Sequence, residues 1–343
     1  MSEIEVAVLR EVPQAFLDCS AERLHEVLPG PTLFDLSGRE GAPLFVSTLL
    51  HGNEDSGLKA AQEVLKGYRR REPHRPLLLL IGNVAAAAAN LRTLPGQIDY
   101  NRVWPGTLHP DAPEARMARK VYDYAAARKP FASIDIHNNT GFNPHYSSVR
   151  RLEPRFLALA RLFSRIVVHF ERPLGTQAAA FADLCPAVTV ECGKAGLPSG
   201  AKHAAELIEA CLSITALPDH PPAPHDMDLL RTYAIVKTPA DASISFDGSP
   251  ADFRFREDID HLNFSELAPG EPFGRIDDAL ARLEIAPGDG LATAPPDYFH
   301  YADGEIRLAE SAIPALLTRD PRAVKLDCLC YLMHRIGLDG ARA

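Results

Sequence analysis

Short apolar runs alternate with helical spacings along the first two thirds of the chain. Leu44–Leu50, Leu77–Ile81, Ala132–Ile136 and Ala187–Val190 are mostly apolar segments of strand length. Such runs suit strands buried on both faces. Between them apolar residues recur three or four positions apart. Leu58, Ala61, Leu65 and Tyr68 form one set, Ala115, Ala118, Val121, Tyr122 and Ala125 a second, and Ala205, Ile208 and Leu212 a third. That spacing puts each set on one face of a helix. Strands alternating with helices predict an α/β fold with a mostly parallel sheet flanked by helices. The first 40 residues read as an entry hairpin or an edge strand.

The texture then changes. LPDHPPAPHD, residues 217–226, carries four prolines in ten positions. Proline lacks the backbone donor and fixes φ, so this stretch is a linker. Beyond it Arg231–Lys237 and Ser243–Phe246 resemble short strands, with turns at Pro269-Gly270 and Pro287-Gly288 and a last element near 324–332. The expected organisation is a domain over 1–216, a linker over 217–226 and a small β-rich domain over 227–343.

Composition narrows the class. Apolar residues make up 46% and charged residues 24% of the 343, which excludes a disordered or fibrous chain. The net charge of −9 disfavours nucleic acid and anionic membrane as partners. The one basic run, Arg69-Arg70-Arg71 with Lys66 before it and Arg75 after it, reads as a solvated helix end. No apolar run reaches the roughly 18 residues of a membrane helix. The first residues lack a signal-peptide pattern, so a cytoplasmic location is expected. The six cysteines form no CxxC pair and are expected to be buried small hydrophobes.

Open α/β sheets bind ligands at the carboxyl ends of their strands. Three strand ends here carry His51-Gly52-Asn53-Glu54, His137-Asn138-Asn139 and Glu191-Cys192-Gly193. Two histidines and a carboxylate are the protein ligands of a catalytic zinc with an open position. A metal-bound imidazole needs a partner for its other nitrogen. Asp135, two residues before His137, projects to the same side of its strand and is a candidate. Cys192 points to the face opposite Glu191 by strand alternation. No GxSxG, GxxxxGK[ST] or GxGxxG pattern is present. A lone HxxE also fits a simple helix-start hydrogen bond, so the residues alone leave metal and non-metal readings open.

One further block, Asp99-Tyr100-Asn101-Arg102-Val103-Trp104-Pro105-Gly106, extends the pattern. With HGNE at 51–54, DIHNNTG at 135–141 and VECGKA at 190–195, the chain resembles the succinylglutamate desuccinylase/aspartoacylase family, relatives of the zinc carboxypeptidases. The resemblance spans about residues 40–200 and extends more weakly to Asn263-Phe264 and Pro269-Gly270. It implies a zinc-carboxypeptidase-like sheet plus a small C-terminal β domain that caps the pocket. It implies His51, Glu54 and His137 as ligands of one Zn2+ per chain. Glu191 is then the general base and acid acting on metal-activated water. Arg102 grips the substrate carboxylate, for which its fork is suited, and Asn101 adds a hydrogen bond. Arg92 is the candidate for stabilising the developing oxyanion, its slightly long spacing from Arg102 absorbed by a Pro95-Gly96 insertion. His145 and Tyr146 are expected in the pocket wall.

The implied activity is cleavage of an N-acyl amino acid to a carboxylate and a free amino acid. A zinc carboxypeptidase acting on short peptides and a non-catalytic zinc-binding relative are the alternatives. The resemblance also admits a homo-oligomer. Two departures concern substrate choice. The stretch 177–183 before Glu191 holds no arginine or lysine, and the tail over 309–325 has no tyrosine. The apolar residues 178–182 suit an acyl pocket or a packed helix equally.

Overall fold

The computed structural model describes residues 3–68, 72–288 and 297–338. Arg69–Arg71 therefore lie outside the described residues. The chain divides into two units at Asp228, and Asn139–Pro144 and Phe170–Arg172 group with the second unit.

The first unit is built on a mixed sheet. Its strands are β1 (Ala7–Leu9), β2 (Thr32–Leu36), β3 (Leu44–Thr48), β4 (Leu77–Ile81), β5 (Ala132–Asn139), β6 (Tyr146–Val149), β7 (Ile166–His169) and β8 (Ala187–Lys194). Their order is β1-β2-β4-β3-β5-β8-β6-β7. β3 runs parallel to both β4 and β5, and β6 runs parallel to β7 and antiparallel to β8. The helices are α1 (Ser56–Tyr68), α2 (Val84–Ala88), α3 (Pro113–Arg128), α4 (Pro154–Phe163), α5 (Gln177–Phe181) and α6 (Pro198–Ser213). β3, β4 and β5 are buried at every position, which explains their lack of polar alternation.

Strand ends differ from the sequence expectation in ways that matter for the site. β3 stops at Thr48, and Leu49 takes φ 54, a left-handed conformation that turns the chain out of the strand before His51. β5 continues past Ile136 to Asn139, so His137 is itself a strand residue. β8 likewise runs through Glu191 to Lys194. The first 40 residues contribute the edge strand β1, its parallel neighbour β2, and two short 3-10 turns that bury Phe16 and Leu24. Arg75, expected in a solvated run, is buried. Its guanidinium lies 3.6 Å from the Phe131 ring centroid and donates to the carbonyls of Ala42 and Ile214. α5 is a packed helix. Phe181 sits 4.3 Å from Phe45 and edge-on to Trp104 and Tyr122.

The second unit contains β9 (Asp228–Lys237), β10 (Ile244–Ser245), β11 (Phe253–Phe255), β12 (Pro272–Ile276), β13 (Glu284–Pro287), β14 (Phe299–Ala302), β15 (Glu305–Leu308), β16 (Ile313–Ala315) and β17 (Cys330–Arg335). β9 pairs antiparallel with β13 and β17, and β16 pairs with β17. A separate sheet has the order β10-β11-β12-β15-β14. Phe253, Phe273, Ile306, Leu329 and Leu332 belong to the core of this unit. A short helix, α7 (Pro321–Leu326), is capped by the Asp320 carboxylate.

None of the six cysteines forms a disulfide, and only Cys19 is not buried. No helix among the described residues is long and apolar enough to cross a membrane.

Candidate metal centre and active site

His51, Glu54 and His137 converge, with one ligand atom from each lying within 4.8 Å of the others. The turn after Leu49 delivers the first two. The Glu54 backbone N–H donates to the His51 carbonyl at 3.2 Å, closing a short turn ahead of α1. That turn is seated on α2. A Cβ on Gly52 would lie 2.2 Å from the Ala87 nitrogen and 2.3 Å from the Ala86 carbonyl carbon. Glycine is required there by contact with backbone. β5 delivers His137.

Both rings present Nδ1 to a common centre. His51 Nδ1 lies 2.8 Å from Glu54 Oε1, and His137 Nδ1 lies 2.8 Å from Glu54 Oε2. The two Nδ1 atoms are 3.2 Å apart. Two zinc–nitrogen bonds at a tetrahedral angle span about 3.4 Å. Two imidazole nitrogens facing each other at this separation, with a carboxylate bridging them, form a donor set that fits a divalent cation.

The outward nitrogens each meet a carboxylate. His51 Nε2 lies 2.9 Å from Asp99 Oδ1, and His137 Nε2 lies 2.8 Å from Asp135 Oδ2. Asp135 is fully buried and also accepts from Ser47 Oγ at 2.7 Å. Carboxylates in these positions fix the ring orientation and make the inward nitrogen a better ligand. Asn101 reaches the same His137 nitrogen, with Nδ2 at 3.1 Å, while its Oδ1 accepts from the Gln177 N–H.

The electrostatics follow from burial and charge. Burial pushes the Glu54 carboxyl up, but the charges of His51 and His137 outweigh it and hold it well below the usual range. Burial pulls His137 down, and the facing Asp135 and Glu54 carboxylates overcome this and raise it well above an ordinary imidazole. The Asp99 carboxyl, despite its burial, is held low by His51, Arg92 and Arg102. Glu191 behaves in the opposite way. Burial pushes its carboxyl up to about 8, opposed by the charge of His137 and of Arg92 and reinforced by Glu54 and Asp135. Those same groups place Glu191 within electrostatic reach of the ligand set.

Arg92 reaches the group through Asp99 and Glu54. Its Nη2 donates to Asp99 Oδ2 at 3.0 Å, and its Nη1 is 3.5 Å from Glu54 Oε1. Arg102 donates to the Asn101 carbonyl at 2.8 Å and pairs with no carboxylate among the described residues. Its carbonyl is approached by Gly175, at φ 74, where a Cβ would lie 2.5 Å from that oxygen. Tyr146 of β6 is registered opposite Glu191 of β8 in an antiparallel pair, so the two share a face.

His145, one residue earlier, is placed elsewhere. Its ring stacks on His203 of α6 at 5.0 Å and lies 5.9 Å from Phe163 of α4. Alternation turns it toward the helices, and no contact among the described residues joins it to the ligand group. Cys192 likewise points away from Glu191. It is buried, its Cβ is 3.0 Å from where a Gly200 Cβ would stand, and burial raises its thiol far above a reactive range. Sequence reasoning left two contributors without a role. Asp99 joins His51 to Arg92, and the backbone N–H of Asn138 donates to Glu54 Oε2 at 3.1 Å. Both lie inside the motif blocks, but nothing in local spacing reveals their partners.

Solved structures share this fold at low identity. Succinylglutamate desuccinylase from Vibrio cholerae is 15% identical with a TM-score of 0.59, covering 95% of this chain and 96% of that one. The desuccinylase from Chromobacterium violaceum is 19% identical with a TM-score of 0.57, covering 87% and 86%. Murine aminoacylase 3 is 16% identical with a TM-score of 0.51, covering 87% and 97%. No curated protein sequence matches the chain. The family model for the succinylglutamate desuccinylase/aspartoacylase catalytic domain matches residues 40–217, which hold every residue of the site. With more than half of its length matched, the chain belongs to the succinylglutamate desuccinylase/aspartoacylase family of amide-bond deacylases.

Proposed function

We propose that the chain is a zinc-dependent amidohydrolase that cleaves an N-acyl amino acid to a carboxylate and a free amino acid. One observation carries the reading. His51 and His137 turn Nδ1 toward the Glu54 carboxylate while Asp99 and Asp135 hold their outer nitrogens. A hydrogen-bonded turn needs no such double support. His51, Glu54 and His137 would hold the ion, with one Zn2+ per chain. Zinc bound there supplies a Lewis acid that polarises the amide carbonyl and makes water nucleophilic at neutral pH.

The chain's own groups do the rest. Glu191 takes the proton of the attacking water on a carboxylate oxygen and passes it to the leaving nitrogen. Its raised pKa supports the second task, because a carboxyl held near neutrality donates readily. Positive charge brought to the ligand group favours the ionised form needed for the first. Arg102, with no carboxylate partner among the described residues, offers its fork to the α-carboxylate of the amino acid. Arg92, held by Asp99, presents a guanidinium to the oxyanion that develops on the amide carbonyl. Asn101 is engaged with His137 and Gln177, which supports a role in orienting the site alongside substrate contact. Tyr146 lines the wall beside Glu191.

The test is hydrolysis of a mixed pool of N-acyl amino acids and short peptides, followed by mass spectrometry, with Glu191→Ala alongside. Loss of acyl amino acids with the wild type only is expected. Release of carboxyl-terminal residues from peptides would move the reading to a carboxypeptidase. No turnover by zinc-loaded wild type would leave the non-catalytic alternative.

A further inference from the structure

Asn138 ties together the elements that carry the two halves of the reaction machinery. It follows His137 on β5 and is 6% exposed. Strand alternation points its side chain away from the face that His137 serves. There its Nδ2 donates to Ser56 Oγ at 3.0 Å and to the Gly193 carbonyl at 3.2 Å. Its Oδ1 accepts from the Ser56 N–H at 3.2 Å. Its own backbone N–H holds Glu54 Oε2.

Each partner is significant. Ser56 opens α1, and its N–H has no partner inside the helix, so Asn138 caps α1 from a neighbouring strand. Ser56 is also two residues after Glu54. Gly193 is two residues after Glu191 on β8. A single amide therefore links the segment bearing the Glu54 ligand to the segment bearing Glu191. Neither of the other site carboxylates makes such a link: Asp99 joins His51 to Arg92, and Asp135 joins His137 to Ser47.

We infer that Asn138 is a positioning residue that fixes Glu191 relative to the ligand group. This rests on the amidohydrolase reading above. The Asn138 side chain bonds Ser56 and Gly193, so it acts on the reaction through Glu191. Its amide sets how far the end of β8 stands from the start of α1, and so where the Glu191 carboxylate meets the attacking water. A displacement of about 1 Å at such a group lowers turnover up to about 100-fold.

Two variants test it. Asn138→Ala removes every side-chain bond. Asn138→Asp keeps an acceptor for the Ser56 N–H, and so the cap, while placing a carboxylate oxygen against the Gly193 carbonyl. The expected result for both is kcat reduced about 10- to 100-fold, KM for the N-acyl amino acid within about threefold, and one zinc retained per chain. Asn138→Asp gives the reading if Asn138→Ala does not fold. Unchanged kcat in Asn138→Asp would overturn the inference, as would parallel loss of kcat and zinc, which would mean a disrupted ligand set. Crystal structures of zinc-loaded wild type and Asn138→Asp keep the claim separate from the hydrolase reading. A displaced Glu191 with His51, Glu54 and His137 in place supports positioning even if no substrate is turned over. Superimposable sites refute it even if hydrolysis is confirmed.

Discussion

Asp99 meets three groups at once, the Asn101 backbone N–H, His51 and Arg92. Its Oδ1 faces His51 Nε2 and its Oδ2 accepts from Arg92. Asp99→Asn keeps the shape and removes the charge that orients the ring and grips the guanidinium. Zinc affinity is expected to fall about 10- to 100-fold, measured by competition with a chromophoric chelator. A change under about twofold would show that the His51 orientation has another source. A second residue-scale expectation concerns pH. In the metal-free chain His137 is raised and Glu54 is depressed. The His137 contribution to stability is complete below its unfolded value of about 6.5 and is lost as pH rises through its folded value. The Glu54 contribution is complete above about 4.3 and is lost as pH falls through its folded value. Both therefore act between those limits. Zinc must displace the His137 proton, so affinity should rise with pH by about tenfold per unit while that proton is present. Affinity independent of pH between 5.5 and 7.5, about two units around the ordinary imidazole value, would contradict this protonation state.

At the scale of elements, the ligand turn is held by contact as much as by hydrogen bonds. Leu49 bends the chain out of β3, and Gly52 lies against the backbone of α2. Gly52→Ala cannot be accommodated without moving the turn or the helix. The expected outcome is zinc affinity lowered by at least about tenfold together with a lower melting temperature, read by titration and thermal unfolding. Retention of both would show that the turn can shift freely. The same elements show what was legible in the sequence. Buried strands announce themselves as apolar runs, so β3, β4, β5 and β8 could be located. Their ends could not be read as well, because His137 and Glu191 are polar residues in strands that continue past the apolar run. His51 and Glu54 after one strand and His137 at the end of another could be placed on one sheet edge, but the residues alone left a metal and a non-metal reading open, and the ligand set came from the family resemblance. Asp99 was hidden by distance, being 48 residues from His51 and in a loop whose path no periodicity describes. His145 illustrates the opposite case. It is close in sequence to His137, yet the next strand turns its ring onto α4 and α6. Arg75 shows that a charge beside a basic run can be buried when carbonyls and an aromatic face receive it.

For the molecule as a whole, the family match at residues 40–217 contains the entire candidate site, and residues 229–343 lie beyond it in the second unit. A cation bound by three buried side chains stabilises only the folded chain. At zinc about a hundredfold above its Kd, this linkage contributes about 2.7 kcal/mol, or roughly 4–6 °C in melting temperature. Under the amidohydrolase proposal, the folded chain hydrolyses an amide with a metal held by His51, Glu54 and His137. The most direct measurement is the rate of N-acyl amino acid hydrolysis by chelator-stripped chain as zinc is added back in fractions of an equivalent. Turnover should be absent without zinc and rise linearly to a plateau at about one equivalent, matching the one ligand set among the described residues. Full turnover by the stripped chain, or a plateau reached equally by His137→Ala, would contradict it.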